Sequence, residues 1–503
     1  MGLMTRVLAI DAGTTGVRTL AADENCRIVD MAYRELTQHF PRPGWVEHDA
    51  SEIWSHVVAT LAEVAIRLHD AGEAIAAIGI TNQRETVVGW DRYTGKPSAR
   101  AIVWQDRRTA SRCEELRAAG HLELVREQTG LVLDPYFSAT KMAWMIENGA
   151  VEPSRGLTMG TVDSWVLWNL TGGPAGGSLA TDPSNASRTL LYDIRAQQWS
   201  DELCELFGVP RSTLPEVRPT SGRFGKTAGE VASVPGLGGI PVSGIAGDQQ
   251  AALFGQACFG TGNAKVTYGT GSFVLVNAGE TCPAPAEGML TTVAWDLGKV
   301  GATYATEGAV FATGAAIQWL RDGIGIVESA AEVGRLAESV QDAEGVFFVP
   351  AFTGLGSPWW DPHARGTFGG ISRGTGRAHL ARAVVESIAF QVRDVLDSMA
   401  ASLGAPVTSL RVDGGASVMQ LLLQLQADQL QVPVARPGST ETTSLGAAML
   451  AGLAEGVWGS LEDLSDMWRL DVEVEPRAGK ALADAKHDAW LRAVERSRDW
   501  ARD

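Results

Sequence analysis

The sequence predicts an α/β protein built of two halves, and three observations carry that expectation. Short β-branched and apolar runs alternate with stretches of helical periodicity, the mark of strands and helices packed in layers. Four of the apolar runs end in a Gly-rich turn, two before residue 255 and two after it. The length, 503 residues, is enough for two to four domains at roughly 100–200 residues each. The boundary is placed near residue 255, giving domains 1–255 and 256–503.

Each element follows from local pattern. Val7-Leu8-Ala9-Ile10 predicts a buried strand that breaks at Asp11-Ala12-Gly13-Thr14-Thr15-Gly16. Ile53, Trp54, Val57, Val58, Leu61, Val64, Ala65 and Leu68 recur at helical spacing and predict a helix over 53–68. Strands are expected at 75–81 and 86–90. Ile240 to Gly247 predicts a strand leading to Asp248, with a helix through Ala251, Ala252, Leu253 and Phe254. A third turn, Tyr268-Gly269-Thr270-Gly271-Ser272-Phe273, and a fourth, Asp413-Gly414-Gly415-Ala416, follow; the fourth opens a leucine-rich helix over 419–430. Leu482, Ala485, Ala489, Trp490, Ala493 and Val494 predict a final amphipathic helix on the outside.

Composition narrows the function. Gly makes up 57 of 503 residues, above the usual share near 7%, so many tight turns or close backbone approaches are expected. The net charge of −17 argues against a nucleic-acid partner or an anionic membrane surface. No run reaches the roughly 20 apolar residues of a membrane span, and no signal-peptide core precedes Asp11. Five widely spaced cysteines without a CxxC pair fit reduced thiols and a cytoplasmic protein. The sequence leaves a homo-oligomer open.

Neither usual nucleotide fingerprint is present: no turn spells GxxxxGK[ST], and no GxGxxG joins a strand to a helix. Asp11-x-Gly13-Thr14-Thr15 offers hydroxyls, backbone N–H groups and a carboxylate able to hold Mg²⁺ through water, with Arg18 in reach of a phosphate. Alone it is as readily a plain turn. Taken with Gly269-Thr270-Gly271 and Asp413-Gly414-Gly415, it resembles the two phosphate loops and the adenosine loop of the actin and hexokinase type of ATPase. That resemblance implies two ribonuclease H-like domains with an ATP and substrate cleft between them.

Longer motifs sharpen the resemblance. Thr81-Asn82-Gln83-Arg84-Glu85-Thr86, Ile102-Val103-Trp104-Gln105, Asp134-Pro135-Tyr136-Phe137-Ser138, the run Gly244 to Gly255 and the run Pro350 to Gly356 are similar to the FGGY family of carbohydrate kinases, in its glycerol-phosphorylating branch. The resemblance implies ATP-dependent phosphorylation of glycerol to sn-glycerol 3-phosphate, with Mg²⁺ and with Asp248 as general base. It implies a substrate pocket of Arg84, Glu85, Trp104, Tyr136, Asp248, Gln249 and Phe273. For the nucleotide it points to Thr14, Thr15, Gly16, Arg18, Thr270, Gly314, Gln318 and Gly415, with Met419 where an Asn commonly faces adenine, and for the metal to Asp11 and Asp248. Ala12 stands where a Gln is usual.

The residues have their own logic and their bland alternatives. Phosphoryl transfer to an alcohol needs an acceptor for the hydroxyl proton, which an ionised Asp248 supplies, but Asp before a helix also reads as an N-cap. Arg84 and Glu85 pair a donor with an acceptor, which suits vicinal hydroxyls; otherwise they are a surface ion pair. Consecutive strand residues face opposite ways, so both line one pocket only where the strand has ended or bulged by Gln83. Rival functions are a kinase of the same family for another polyol or a ketose, such as erythritol or xylulose, and a nucleotide-gated actin-type binding protein.

Overall fold

The structure, a computed structural model, describes residues 4–152, 154–298 and 301–501. Among them two large sheets share one plan. In the first, the spatial order is Ser221–Lys226, Pro241–Gly247, Ala74–Asn82, Thr5–Ala12, Gly16–Ala22 and Ile28–Glu35. Thr5–Ala12 pairs antiparallel with Gly16–Ala22 on one side and parallel with Ala74–Asn82 on the other. In the second sheet Asn263–Tyr268 takes the same place, antiparallel to Ser272–Gly279 and parallel to Ser409–Asp413. Both central strands are buried along nearly their whole length, as strands covered on two faces are.

The elements fall where the apolar pattern puts them, with ends set by capping. The helix predicted over 53–68 runs Ala50–Asp70, lengthened at its start by Asp49, whose carboxylate accepts from the Ser51 amide. The strands expected at 75–81 and 86–90 are Ala74–Asn82 and Val87–Asp91. The fourth Gly-rich turn does not open its helix directly. A short tight turn, Gly415–Val418, intervenes and Met419 becomes the cap residue of Gln420–Leu430. The final helix, Lys480–Ser497, is anchored more deeply than an outer helix need be: Trp490 is fully buried, stacks on Phe390 and donates to Asp394 Oδ2 at 2.8 Å. Leu482, on the expected apolar stripe, faces solvent instead.

The helix Thr442–Ala454 lies late in the chain yet packs on the first sheet and on the helix Asp248–Gly255. Glycines permit that approach. A Cβ at Gly79 would lie 2.0 Å from the Ala447 carbonyl oxygen, one at Gly255 2.0 Å from that of Thr442, and one at Gly446 1.9 Å from that of Ala251. Val7, Ala9, Leu20 and Ala77 thereby share one core with Leu445, Ala448 and Leu450, which fastens the two halves together. No helix among the described residues is long and apolar enough to cross a membrane.

Candidate active site

The strand Ala74–Asn82 ends one residue before Gln83, whose amide donates to the Ala12 carbonyl. Glu85 then adopts a left-handed backbone, φ +60°, a conformation that non-glycine residues take up at a cost and that recurs at functional sites. The kink satisfies the geometric demand stated above, for Arg84 and Glu85 enter one buried cluster. Arg84 is 2% exposed; its Nη1 donates to Glu307 Oε2 at 2.5 Å and its Nη2 to the Tyr136 hydroxyl at 3.1 Å. Glu85 is 1% exposed and accepts from Arg188 Nε at 2.6 Å. Arg188 Nη2 donates in turn to Glu307 Oε1 at 2.9 Å.

Tyr136 is held from behind. The Lys141 ammonium, buried on the helix Ser138–Glu147, donates to the carbonyls of Pro135, Tyr136 and Phe137 at 2.8, 2.6 and 2.8 Å. Burial lowers its pKa to about 8, against the pull of Glu85, Asp106 and Asp134. Trp104 stands edge-on to Tyr136, ring centres 5.6 Å apart, and to Phe273, 6.4 Å apart. Trp104 and Phe273 are thus two apolar walls beside the polar cluster.

Asp248 is the first residue of the helix Asp248–Gly255, and Gly247 is the cap. The side chain of Asp248 accepts from the adjacent Gln249 amide at 2.7 Å and lies 3.1 Å from Arg84 Nε. It keeps 32% of its surface open, unlike the carboxylates behind it. Burial raises its pKa from the usual carboxylate value, while Arg84 and Lys265 oppose the rise. Gln249 Oε1 accepts from Lys265 Nζ at 2.5 Å, which ties it to the second sheet.

A cavity of about 350 Å³ adjoins this cluster, lined by Asp11, Arg18, Gly414, Gly415, Val418, Thr440, Glu441 and Thr443. Arg18 is ion-paired there with Glu441. Asp11 accepts from Ser444 Oγ at 3.3 Å, and burial lifts its pKa to about 7, with Arg18 opposing and the like charges of Asp248 and Glu441 adding to the rise. The first turn closes through Gly13 N–H to the Gly16 carbonyl, and a Cβ on Gly16 would meet the Tyr33 hydroxyl at 2.4 Å. Thr14 Oγ1 accepts from Trp104 Nε1, and Tyr33 donates to the Thr15 carbonyl. In the second half, Gly314 N–H and Ala315 N–H donate to the carbonyls of Gly269 and Thr270, so the exposed Thr270 turn and the start of the helix Gly314–Gln318 form one unit. Gln318 ends that helix on the surface. Gly414, φ +84°, brings the fourth Gly-rich turn against Tyr268, where a Cβ would lie 2.5 Å from the carbonyl oxygen. Met419 lies along Gly334 of the neighbouring helix.

Five charged residues at the site escaped sequence reasoning: Lys141, Arg188, Lys265, Glu307 and Glu441. Glu307 left a trace, as the sole charged residue between positions 301 and 320. A lone charge in an apolar strand is buried only when paired, which is a hint of a site.

Comparison with known proteins identifies the family. Residues 6–255 match the N-terminal domain of the FGGY family of carbohydrate kinases, and residues 264–455 its C-terminal domain. Among curated proteins the chain is 51% identical to a glycerol kinase of Bordetella parapertussis, over 99% of this chain and 98% of that one. It is 52% identical to one from Carboxydothermus hydrogenoformans, over 98% of each. Among solved structures, a Plasmodium falciparum glycerol kinase with ADP superposes with a TM-score of 0.93 at 36% identity, covering 99% of both chains. A Brucella ovis protein described as a xyloylose kinase gives 0.87 at 26% identity, covering 97% of both. The chain belongs to the FGGY family of carbohydrate kinases and has that family's two-domain α/β fold.

Proposed function

We propose that this protein transfers a phosphoryl group from ATP to glycerol, giving sn-glycerol 3-phosphate and ADP. The observation that carries the reading is the cluster of Arg84, Glu85, Tyr136 and the half-open Asp248, walled by Trp104 and Phe273, next to the Asp11 and Arg18 cavity. Charged and polar groups on one side and rings on the other suit a small triol, whose hydroxyls lie along one edge and whose carbon-bound hydrogens lie along the other. The names of the full-length relatives at about half identity point the same way.

In this reading Arg84 and Glu85 fix two hydroxyls, and Asp248 takes the proton of the third as it attacks. Asp248 Oδ1 accepts from the Gln249 amide at the start of the helix, and a carboxylate has a second oxygen to offer the substrate hydroxyl. Thr14, Thr15, Gly16, Arg18 and Thr270 hold phosphates, while Gly314, Gln318, Gly415 and Met419 border the nucleoside. Arg18 must leave Glu441 to do so. Among the described residues no three His, Cys, Asp or Glu side chains are grouped to hold a metal unaided. That fits Mg²⁺, which takes one or two carboxylates, waters and substrate phosphates, and Asp11 and Asp248 are the donors offered. When bound, Mg²⁺ neutralises charge on the phosphates. The free cysteines suit a reducing, cytoplasmic setting.

A coupled ADP-release assay with ATP and Mg²⁺ tests the reading. Glycerol should support turnover at lower concentration than erythritol or xylulose. A lower KM for either of those moves the substrate to another polyol or a ketose. No acceptor-dependent turnover leaves a nucleotide-gated binding protein.

A further inference from the structure

Arg84 and Glu85 belong to a closed ring of four charges, completed behind them by Arg188 and Glu307. Arg84 bonds Glu307 through both terminal nitrogens, at 2.5 and 3.2 Å; Arg188 bonds Glu307 at 2.9 Å and Glu85 at 2.6 Å; Arg84 Nε lies 3.7 Å from Glu85. Each of the four is at most 2% exposed. The ring is assembled from three distant segments, and Glu307 arrives from the strand Ala302–Val310 of the second sheet. With Asp248 and Lys265 included, three cations face three carboxylates and the charges cancel. One guanidinium donor is nonetheless left over: Arg188 Nη1 is buried without a hydrogen-bond partner among the described residues, while Arg84 Nε faces only the carboxylates of Asp248, at 3.1 Å, and Glu85, at 3.7 Å.

We propose that Glu307 is a positioning and specificity-determining residue: its buried carboxylate fixes Arg84 and Arg188 and, together with Glu85, cancels their two positive charges, so that the pocket takes an uncharged polyol and rejects the carboxylate analogue. The inference rests on the glycerol reading. Without the charge of Glu307 the ring would carry one excess positive charge in a place that water cannot solvate, beside the unpartnered Arg188 Nη1, and a substrate carboxylate would be drawn in to compensate it. Arg84 would also be released from its anchor, leaving Asp248, 3.1 Å from its Nε, as a competing partner. Glu307 is fully buried and its hydrogen bonds go to the two arginines, so it positions the pocket through them, while its charge also acts across the cluster on Glu85, Asp248 and Lys265.

The test uses the full-length protein, glycerol as substrate and glycerate as competitive inhibitor. In the wild type, the glycerate Ki should exceed the glycerol KM by at least about a hundredfold. In Glu307→Gln the glycerol KM should rise about tenfold or more, the ATP KM should stay within about twofold, and the ratio of glycerate Ki to glycerol KM should fall at least about tenfold. Glu307→Asp, which keeps the charge on a shorter stem, should raise the glycerol KM about threefold and still reject glycerate. A merely structural role would weaken both substrates together and leave the ratio alone; that result overturns the proposal. So does a wild type that binds glycerate as tightly as glycerol, a measurement that needs no variant. If circular dichroism shows Glu307→Gln unfolded, Glu307→Asp decides, and an unchanged glycerol KM there counts against the proposal. Absence of glycerol-dependent turnover in the wild type would instead refute the activity, and it is seen before any variant is made.

Discussion

Trp104 Nε1 donates to Thr14 Oγ1 at 2.9 Å, so the aromatic wall beside the Arg84 cluster and the first Gly-rich turn, the proposed substrate and phosphate sites, are a single hydrogen-bonded unit. The same indole stands edge-on to Tyr136 and Phe273. Trp104→Phe keeps an aromatic wall and deletes the bond. A net hydrogen bond of about 1 kcal/mol predicts that the KM values for glycerol and ATP both rise, each about three- to tenfold. Steady-state kinetics with each substrate varied in turn checks it, and a change confined to glycerol would show that the two sites are not joined here.

Asp248→Asn preserves shape and the bond from the Gln249 amide while removing the proton acceptor. Because the Asn carbonyl oxygen can still accept from that amide, the helix should keep its stability. We expect kcat to fall by about 10²–10⁴ with little change in glycerol affinity, as for a group acting in the transition state. A variant within about threefold of wild-type turnover would remove Asp248 from the chemistry.

The buried Asp11 carboxyl, with its pKa lifted to about 7, makes stability depend on pH. Between about pH 4 and 7 the folded protein holds a proton that the unfolded chain has released. This contribution is therefore complete at acid pH and is lost as the pH rises through 7. Asp11→Asn has no such proton. In EDTA, the melting midpoint of the variant should gain on that of the wild type as pH goes from 5 to 8, followed by calorimetry. A constant difference would mean that Asp11 is not protonated in the folded state.

Gly446→Ala should loosen the seam between the helices Thr442–Ala454 and Asp248–Gly255, since the new methyl would sit 1.9 Å from the Ala251 carbonyl oxygen. Backbone cannot yield as a flexible side chain does, so overpacking of about 1–3 kcal/mol is expected. Thermal melts should show a midpoint lowered by several degrees. Because Asp248 begins one of the two helices, kcat should fall as well.

Much of the fold was legible because the strands and helices answer to local rules. Val7–Ile10 is an apolar run that can only be buried, Leu410 and Val412 flank Arg411 with the alternation of a strand, and the Gly-rich ends of both mark where the chain turns. The stripe from Ile53 to Leu68 fixed a helix, and Asp49 at its cap lengthened it. Arg84, Glu85, Tyr136 and Asp248 were legible through motifs, since each sits in a run whose neighbours are constrained with it.

Tertiary structure decided what those residues do together. No local pattern links Arg188, after a turn in the first half, to Glu307, in a strand of the second, yet they meet at 2.9 Å and hold Glu85 and Arg84 between them. Nor does sequence order place the helix Thr442–Ala454 against the first sheet, where Gly79 and Gly446 make room for its backbone. The reason is range. Periodicity and capping act over a few residues, so the sequence by itself determines strands, helices and turns, whereas a buried charge is tolerable only where folding delivers its counter-charge. That pairing joins residues more than a hundred positions apart, and only the assembled chain shows it.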